Sequence, residues 1–146
     1  MFELVYTYEW YDGPRKGIAD YQGKPHLFES EWDTAQDDYS DWMLLTPIGH
    51  DTFVLALEDW AIWRRWEKAF YHGNATRDTH PALPEDRRRH EELQRLLEGR
   101  LVVDPAQAVR MKAEFRVRSD AEWSGYGCRS LEVQWEAEDS QSAAVV

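Results

Sequence analysis

Apolar and polar side chains alternate from the start of the chain. Phe2, Leu4, Tyr6, Tyr8 and Trp10 share one face of residues 2–11, and Glu3, Val5, Thr7, Glu9 and Tyr11 share the other. A period of two carried by aromatic and β-branched residues predicts a strand. Asp12-Gly13-Pro14 ends it, and Gly17 to Tyr21 reads as a short second strand. After the turn Gln22-Gly23-Lys24-Pro25, His26, Phe28, Ser30 and Trp32 alternate with Leu27, Glu29, Glu31 and Asp33. Three such runs joined by short turns predict an antiparallel meander. The polar, acidic run Thr34 to Asp41 reads as a loop, and Trp42 to Thr46 as a fourth strand ended by Pro47 and Gly49. Thr52 to Ala56 fits either a short strand or an early helix start.

The period then changes. From Leu57 to Tyr71 or His72, Trp60, Ile62, Trp63, Trp66 and Phe70 fall in one arc of a helical wheel. Glu58, Arg64, Arg65 and Lys68 fall opposite, as in an amphipathic helix. Gly73-Asn74 supplies a left-handed stop. Ala75 to Leu83 reads as a loop. Pro84-Glu85-Asp86 opens a second helix, with proline at its first position and acids in its first turn, that runs to Glu98. Its narrow stripe of Leu93, Leu96 and Leu97 predicts a surface helix.

Alternation returns in residues 108–118, where Val109, Met111, Ala113, Phe115 and Val117 oppose Arg110, Lys112, Glu114, Arg116 and Arg118. In Arg129 to Glu138, Leu131, Val133, Trp135 and Ala137 oppose Glu132, Gln134, Glu136 and Glu138. A mostly cationic face against an anionic one predicts that these two strands pair antiparallel. The fold class expected is α+β: a curved or barrel-like antiparallel sheet of about six strands with two inserted helices packed on it. Residues 1–138 read as a single domain, built from a meander (1–47), a helical pair (57–99) and a β-hairpin (101–138), followed by a flexible tail, 139–146.

Composition narrows the classes of function. The net charge is −11, from 28 acidic and 17 basic residues, and the first sixty residues hold 13 of those acids against 3 basic residues. Such a surface repels phosphate backbones and argues against nucleic acid as a partner, despite Arg87, Arg88, Arg89 and Arg95. One cysteine, Cys128, forms no intrachain disulfide and suits a reducing compartment. No basic leader precedes an apolar run, and no apolar run approaches the ~18 residues of a membrane helix, so a cytoplasmic location away from membranes is expected.

Candidate chemistry is sparse. Asp12-Gly13-Pro14-Arg15-Lys16-Gly17 lacks the Gly-Lys-Ser/Thr ending of a phosphate loop and reads as a turn. Asp59 and Glu67 stand on or beside the aromatic arc of the helix, where desolvation would favour a protonated carboxyl; first-turn stabilisation for Asp59 and pairing with Arg64 or Tyr71 for Glu67 are the structural alternatives. His90 lies one turn after Asp86, a spacing that can orient an imidazole. No HExxH or comparable spacing marks a metal site, and no cofactor, metal or catalytic residue is assigned. Cys128 has Arg129 beside it and reads as a small buried residue at a strand start. Most of the eight tryptophans are needed for the core; Trp10, Trp32, Trp42 and Trp123 lie nearest turns and are the ones expected at the surface. Trp123-Ser124-Gly125-Tyr126-Gly127 is the candidate aromatic binding loop, with Trp123 and Tyr126 as its contact residues.

Tyr11-Asp12-Gly13-Pro14, Gly17-Ile18-Ala19, Tyr21-Gln22-Gly23-Lys24-Pro25-His26 and Trp60-Ala61-Ile62-Trp63-Arg64-Arg65-Trp66 together resemble a pattern in a family of uncharacterised small bacterial proteins, over about the first hundred residues. The resemblance implies a bacterial cytosolic origin and carries over no activity and no functional residue. The residues themselves point to a noncatalytic binding or protein-interaction module, acting on a protein partner or by self-association. The alternative is a small hydrolase or ligand-binding enzyme with Asp12, His26 and Asp59 gathered at a pocket between sheet and helix. The small-molecule ligand, if any, is not specified by the sequence.

Overall fold

The computed structural model describes residues 1–119 and 127–137. These fall into two compact units: residues 1–48, 102–119 and 130–137 form a β unit, and residues 49–101 with 127–129 form a helical unit.

The β unit is a closed antiparallel barrel of six strands: β1 (Glu3–Trp10), β2 (Pro14–Tyr21), β3 (Lys24–Asp33), β4 (Asp38–Pro47), β5 (Val109–Val117) and β6 (Leu131–Ala137). Each strand pairs with the next in sequence, and β6 closes on β1 through Glu3↔Val133 and Leu4↔Glu132. Closure removes the free edges that an open sheet would have to protect. The charge-complementary hairpin forms in the expected sense, with Arg116 opposite Glu132 and Lys112 opposite Glu136. Arg116 Nε donates to Glu132 Oε1 at 2.5 Å, and the guanidinium lies over the Phe2 ring.

The barrel interior is marked by contacts between strands that are not neighbours. Phe28 on β3 meets Phe115 on β5 at 5.6 Å and Trp135 on β6 at 6.1 Å. The Trp135 indole N–H crosses to the Asp20 carbonyl on β2 at 2.8 Å. Leu45, Met43, Ala113 and Val133 are buried with them. Ile18, Leu27 and Thr46, paired side by side on the opposite face of β2–β4, are buried too. Gly17 is required by close approach: a Cβ there would collide with the Thr7 carbonyl and come within 2.8 Å of Tyr8 Cα.

Three strands are longer than the sequence pattern suggests, β3 by the two residues Lys24 and Pro25. β2 begins at Pro14 because Trp10↔Pro14 extends its pairing with β1 and Lys16 takes ladder partners on both sides, Glu9 and Glu29; proline is tolerated as a strand's first residue. β4 begins at Asp38, inside the predicted acidic loop, because Trp32↔Tyr39 and Asp33↔Asp38 extend its pairing with β3. The Ser30 hydroxyl ties this stretch further by donating to the Ser40 carbonyl at 2.6 Å. Pairing overrides the weak local preference of Asp and Ser.

In the helical unit, α1 (His50–Tyr71) starts seven residues before Leu57 and takes up the ambiguous 52–56 segment, with Gly49 as N-cap and Asp51 in the first turn. It ends as predicted, with Gly73 at φ +76 and the Asn74 N–H reaching back to the Ala69 carbonyl at 2.7 Å. A 3₁₀ turn (Arg77–Thr79), a cis His80–Pro81 peptide and a second 3₁₀ turn (Pro84–Asp86) lead into α2 (Arg87–Leu97). The buried stripe of α2 is His90, Leu93 and Leu97; Leu96 is exposed. Three polar clamps bind α2 and its entry turn to α1. Arg89 is bidentate on Glu58, Arg65 is bidentate on Asp86, and His90 Nδ1 meets Asp59 Oδ1 at 2.7 Å. The Arg89 hydrogen bonds hold the Glu58 carboxyl below its ordinary range, and the Asp86 hydrogen bonds raise the Arg65 pKa further.

Among the described residues no helix is long and apolar enough to cross a membrane.

Candidate functional site

Two places gather side chains beyond what packing needs, one in each unit.

On the barrel, the β1–β2 and β3–β4 turns bring aromatic rings together at the surface. Tyr39 is the hub: Tyr11 meets it edge-on at 5.8 Å and Trp32 at 5.1 Å. Trp32 is 50% exposed and Tyr11 70%, while Trp10, one residue before, is 65% exposed. Arg15 holds this end in place, donating through Nε to the Tyr11 carbonyl at 2.9 Å and through Nη2 to the Asp12 carbonyl at 2.5 Å. Its guanidinium carbon lies 5.2 Å from the Tyr39 ring centre, within cation–π range. The sequence pattern picked out Trp10 and Trp32 as surface tryptophans, but Tyr11, Arg15 and Tyr39 become part of the cluster only through pairing of two separate hairpins. The rim is acidic. Asp33 and Asp38 are directly opposite across the ladder, a like-charge pairing that normally costs stability. Asp33 Oδ1 accepts from the Ala35 and Gln36 amides, and Asp37 is held at φ +52 between them and Tyr39.

In the helical unit, the aromatic arc of α1 is divided. Ile62 and Trp66 are buried, whereas Trp63 and Phe70 are half-buried and line a cleft of about 420 Å³. Trp66 also faces the cleft, stacked on Phe70 with ring centres 5.0 Å apart and planes 16° from parallel. Its indole N–H donates to Thr79 Oγ1 at 2.9 Å, and the His80 ring meets it edge-on at 4.6 Å. Thr79 is held in turn by Arg87, which donates to its carbonyl at 2.8 Å. The segment that the sequence leaves as a loop thus supplies one wall, carrying Arg77 and His80.

Glu67 lines that cleft and is buried. Oε1 pairs with Arg64 Nη1, and Oε2 accepts the Cys128 amide at 3.3 Å. Arg64 Nη1 also donates to Cys128 Sγ at 3.1 Å, so the guanidinium that hydrogen-bonds the thiol is that of Arg64, 64 positions away in sequence. Cys128 is half-buried rather than fully buried.

The remaining candidates separate. Asp12 lies in the β1–β2 turn and His26 opposite Ala19 near the other end of β2, about 20 Å apart at the rise of an extended strand. They do not converge on one pocket. His26 is buried, with Nδ1 at 2.7 Å from the Lys24 carbonyl and its ring edge-on to Tyr21. Asp59 serves the interhelical clamp with His90; Asp86, the partner suggested by spacing, belongs to Arg65 instead. Arg87 and Arg89 are engaged within the unit. Trp123 and Tyr126 lie outside the described residues. Sequence spacing singled out His90 for its distance from Asp86 and missed its place on the buried stripe, although its spacing to Leu93 and Leu97 (i, i+3, i+7) puts it there. Among the described residues no group of three or more His, Cys, Asp or Glu side chains is placed to hold a metal ion.

By fold and by these two sites, the chain is an α+β protein: a closed six-strand antiparallel barrel with two helices inserted between β4 and β5. No protein-family model, curated protein or solved structure matches it.

Proposed function

We propose that this protein is a noncatalytic interaction module that holds an extended, basic, proline-containing segment of a partner protein on the aromatic end of its barrel. The observation that carries this reading is the run Tyr11–Tyr39–Trp32, exposed at both ends and half-buried at Tyr39, with each ring edge-on to the next. Grooves between aromatic rings accept proline rings and the preformed extended conformation of proline-rich peptides at small entropic cost. Asp33, Asp37 and Asp38 at the rim attract lysine or arginine flanking such a segment, and a cationic partner relieves the repulsion between Asp33 and Asp38. Arg15 braces the Tyr11 end of the cluster through its two backbone carbonyl contacts.

The test is fluorescence-polarisation titration of the full chain with proline-rich peptides flanked by lysine and arginine or, as control, by glutamate. The basic peptides bind, the acidic ones do not, and Trp32→Ala weakens binding by about tenfold or more, as expected of an aromatic anchor. Equal binding of both peptide sets, no binding of either, or a silent Trp32→Ala substitution would refute the assignment.

A further inference from the structure

We infer that the cleft on α1 is a second, independent site, one that takes a small planar molecule carrying an anionic group, of which an aromatic carboxylate is the simplest example. Its volume of about 420 Å³ lies within the range of small-molecule pockets. Trp66 and Phe70, stacked at 16°, form an aromatic wall of the cleft to which the half-buried Phe70 contributes the more accessible ring. Trp66 is fixed there by its bond to Thr79, and Trp63 adds a further apolar wall. A flat ring buried on such a surface gains area-dependent stabilisation with little ordering of the protein.

Charge decides what the ring carries. Glu67 contributes the carboxylate of the cleft, but both of its oxygens are already engaged, by Arg64 and by the Cys128 amide. Arg77 lines the same cleft, and among the described residues its guanidinium makes no ion pair or side-chain hydrogen bond. His80 is held edge-on against Trp66, and among the described residues neither of its ring nitrogens makes a hydrogen bond. In a chain with 28 acidic and 17 basic residues, a guanidinium left without a carboxylate beside an aromatic surface is a ready site for one. The planar fork of arginine matches a carboxylate in two parallel hydrogen bonds, and the imidazole offers a further donor. A quaternary ammonium, the usual guest of aromatic cages, meets Arg77 with the wrong sign.

The experiment is isothermal titration calorimetry of the full chain with 2-naphthoate and with its neutral isostere 2-naphthamide, repeated on Arg77→Gln. Arg77 is exposed, so that variant should unfold at the wild-type temperature, which thermal denaturation checks first. The naphthoate is expected to bind about tenfold or more tightly than the amide, and Arg77→Gln to abolish that preference while leaving the weak amide binding unchanged. No heat from either probe, equal affinities for the two, or a preference that survives Arg77→Gln each overturns the inference.

Discussion

Glu67 occupies the space that a side chain at residue 127 would need. A Cβ built on Gly127 would collide with Glu67 Oε1 and lie 2.6 Å from its Cδ, and Gly127 is at φ +71, a conformation unfavourable for other residues. The glycine lets the backbone come close enough for the Cys128 amide to reach the buried carboxylate. A charge buried on α1 is thereby met by a backbone donor remote in sequence as well as by Arg64.

Gly127→Ala should therefore cost about 1–3 kcal/mol through positive-φ strain and displacement of Glu67 together. Urea denaturation measures it. A variant as stable as the wild type would mean that the 127–128 segment is not held by Glu67.

Asp59 and His90 form the most buried of the three clamps between α1 and α2, with the His90 side chain 7% and the Asp59 side chain 28% exposed. Asp59→Ala leaves the imidazole Nδ1 without its partner and should destabilise the protein by about 1–3 kcal/mol. Leu96→Ala, on the exposed side of α2, should change stability by no more than about 0.5 kcal/mol. Comparable losses in the two variants would contradict the assignment of His90 to the buried stripe.

The barrel predicts a similar contrast. Gly17→Ala pushes a methyl group into the Thr7 carbonyl at the β1–β2 pairing and should cost about 1–3 kcal/mol or more. Gly23→Ala meets no atom within 4 Å; its penalty comes from φ +76 alone and should be the smaller of the two. Paired thermal melts give the order directly.

Acid stability should report on Glu58. Its hydrogen bonds from Arg89 lower its pKa from the ordinary 4.5, so the folded state binds the proton less well than the unfolded chain. The sign follows by linkage: the contribution is complete above about pH 4.5 and is lost as pH falls through the lower folded value. Glu58→Gln should thus melt below the wild type at neutral pH, with the gap narrowing under acid conditions. A gap that is constant down to pH 3 would assign the loss to something other than the carboxylate charge. Both side chains are more than a third exposed, so the neutral-pH gap should also shrink in high salt.

Much of this architecture is legible in one dimension because it rests on short periods. Alternation located four of the six strands and turn residues bounded the other two, and the cationic and anionic faces of residues 108–118 and 129–138 announced their pairing through residues such as Arg116 and Glu132. The helical stop at Gly73 and the opening at Pro84 follow from backbone chemistry confined to a few residues. Boundaries were less legible where a neighbour decided them. Asp38 to Asp41 has loop composition, yet joins β4 because β3 offers it a ladder.

The candidate sites divide along the same line. Residue type and spacing were enough to single out Asp59, Glu67 and the turn tryptophans Trp10 and Trp32 as worth attention. Partners were not readable, because a hydrogen bond between residues 31 or 61 positions apart leaves no trace in any local period. His90 finds Asp59 rather than Asp86, and Glu67 finds Cys128, only once the chain has folded back on itself. Sequence by itself determined the strands, the helices and the closing hairpin, since each depends on which face of a short segment must leave water. Tertiary structure alone decided closure into a barrel, the Tyr11–Tyr39–Trp32 cluster and the cleft at Trp66, because each needs the spatial meeting of segments whose own patterns are indifferent to one another.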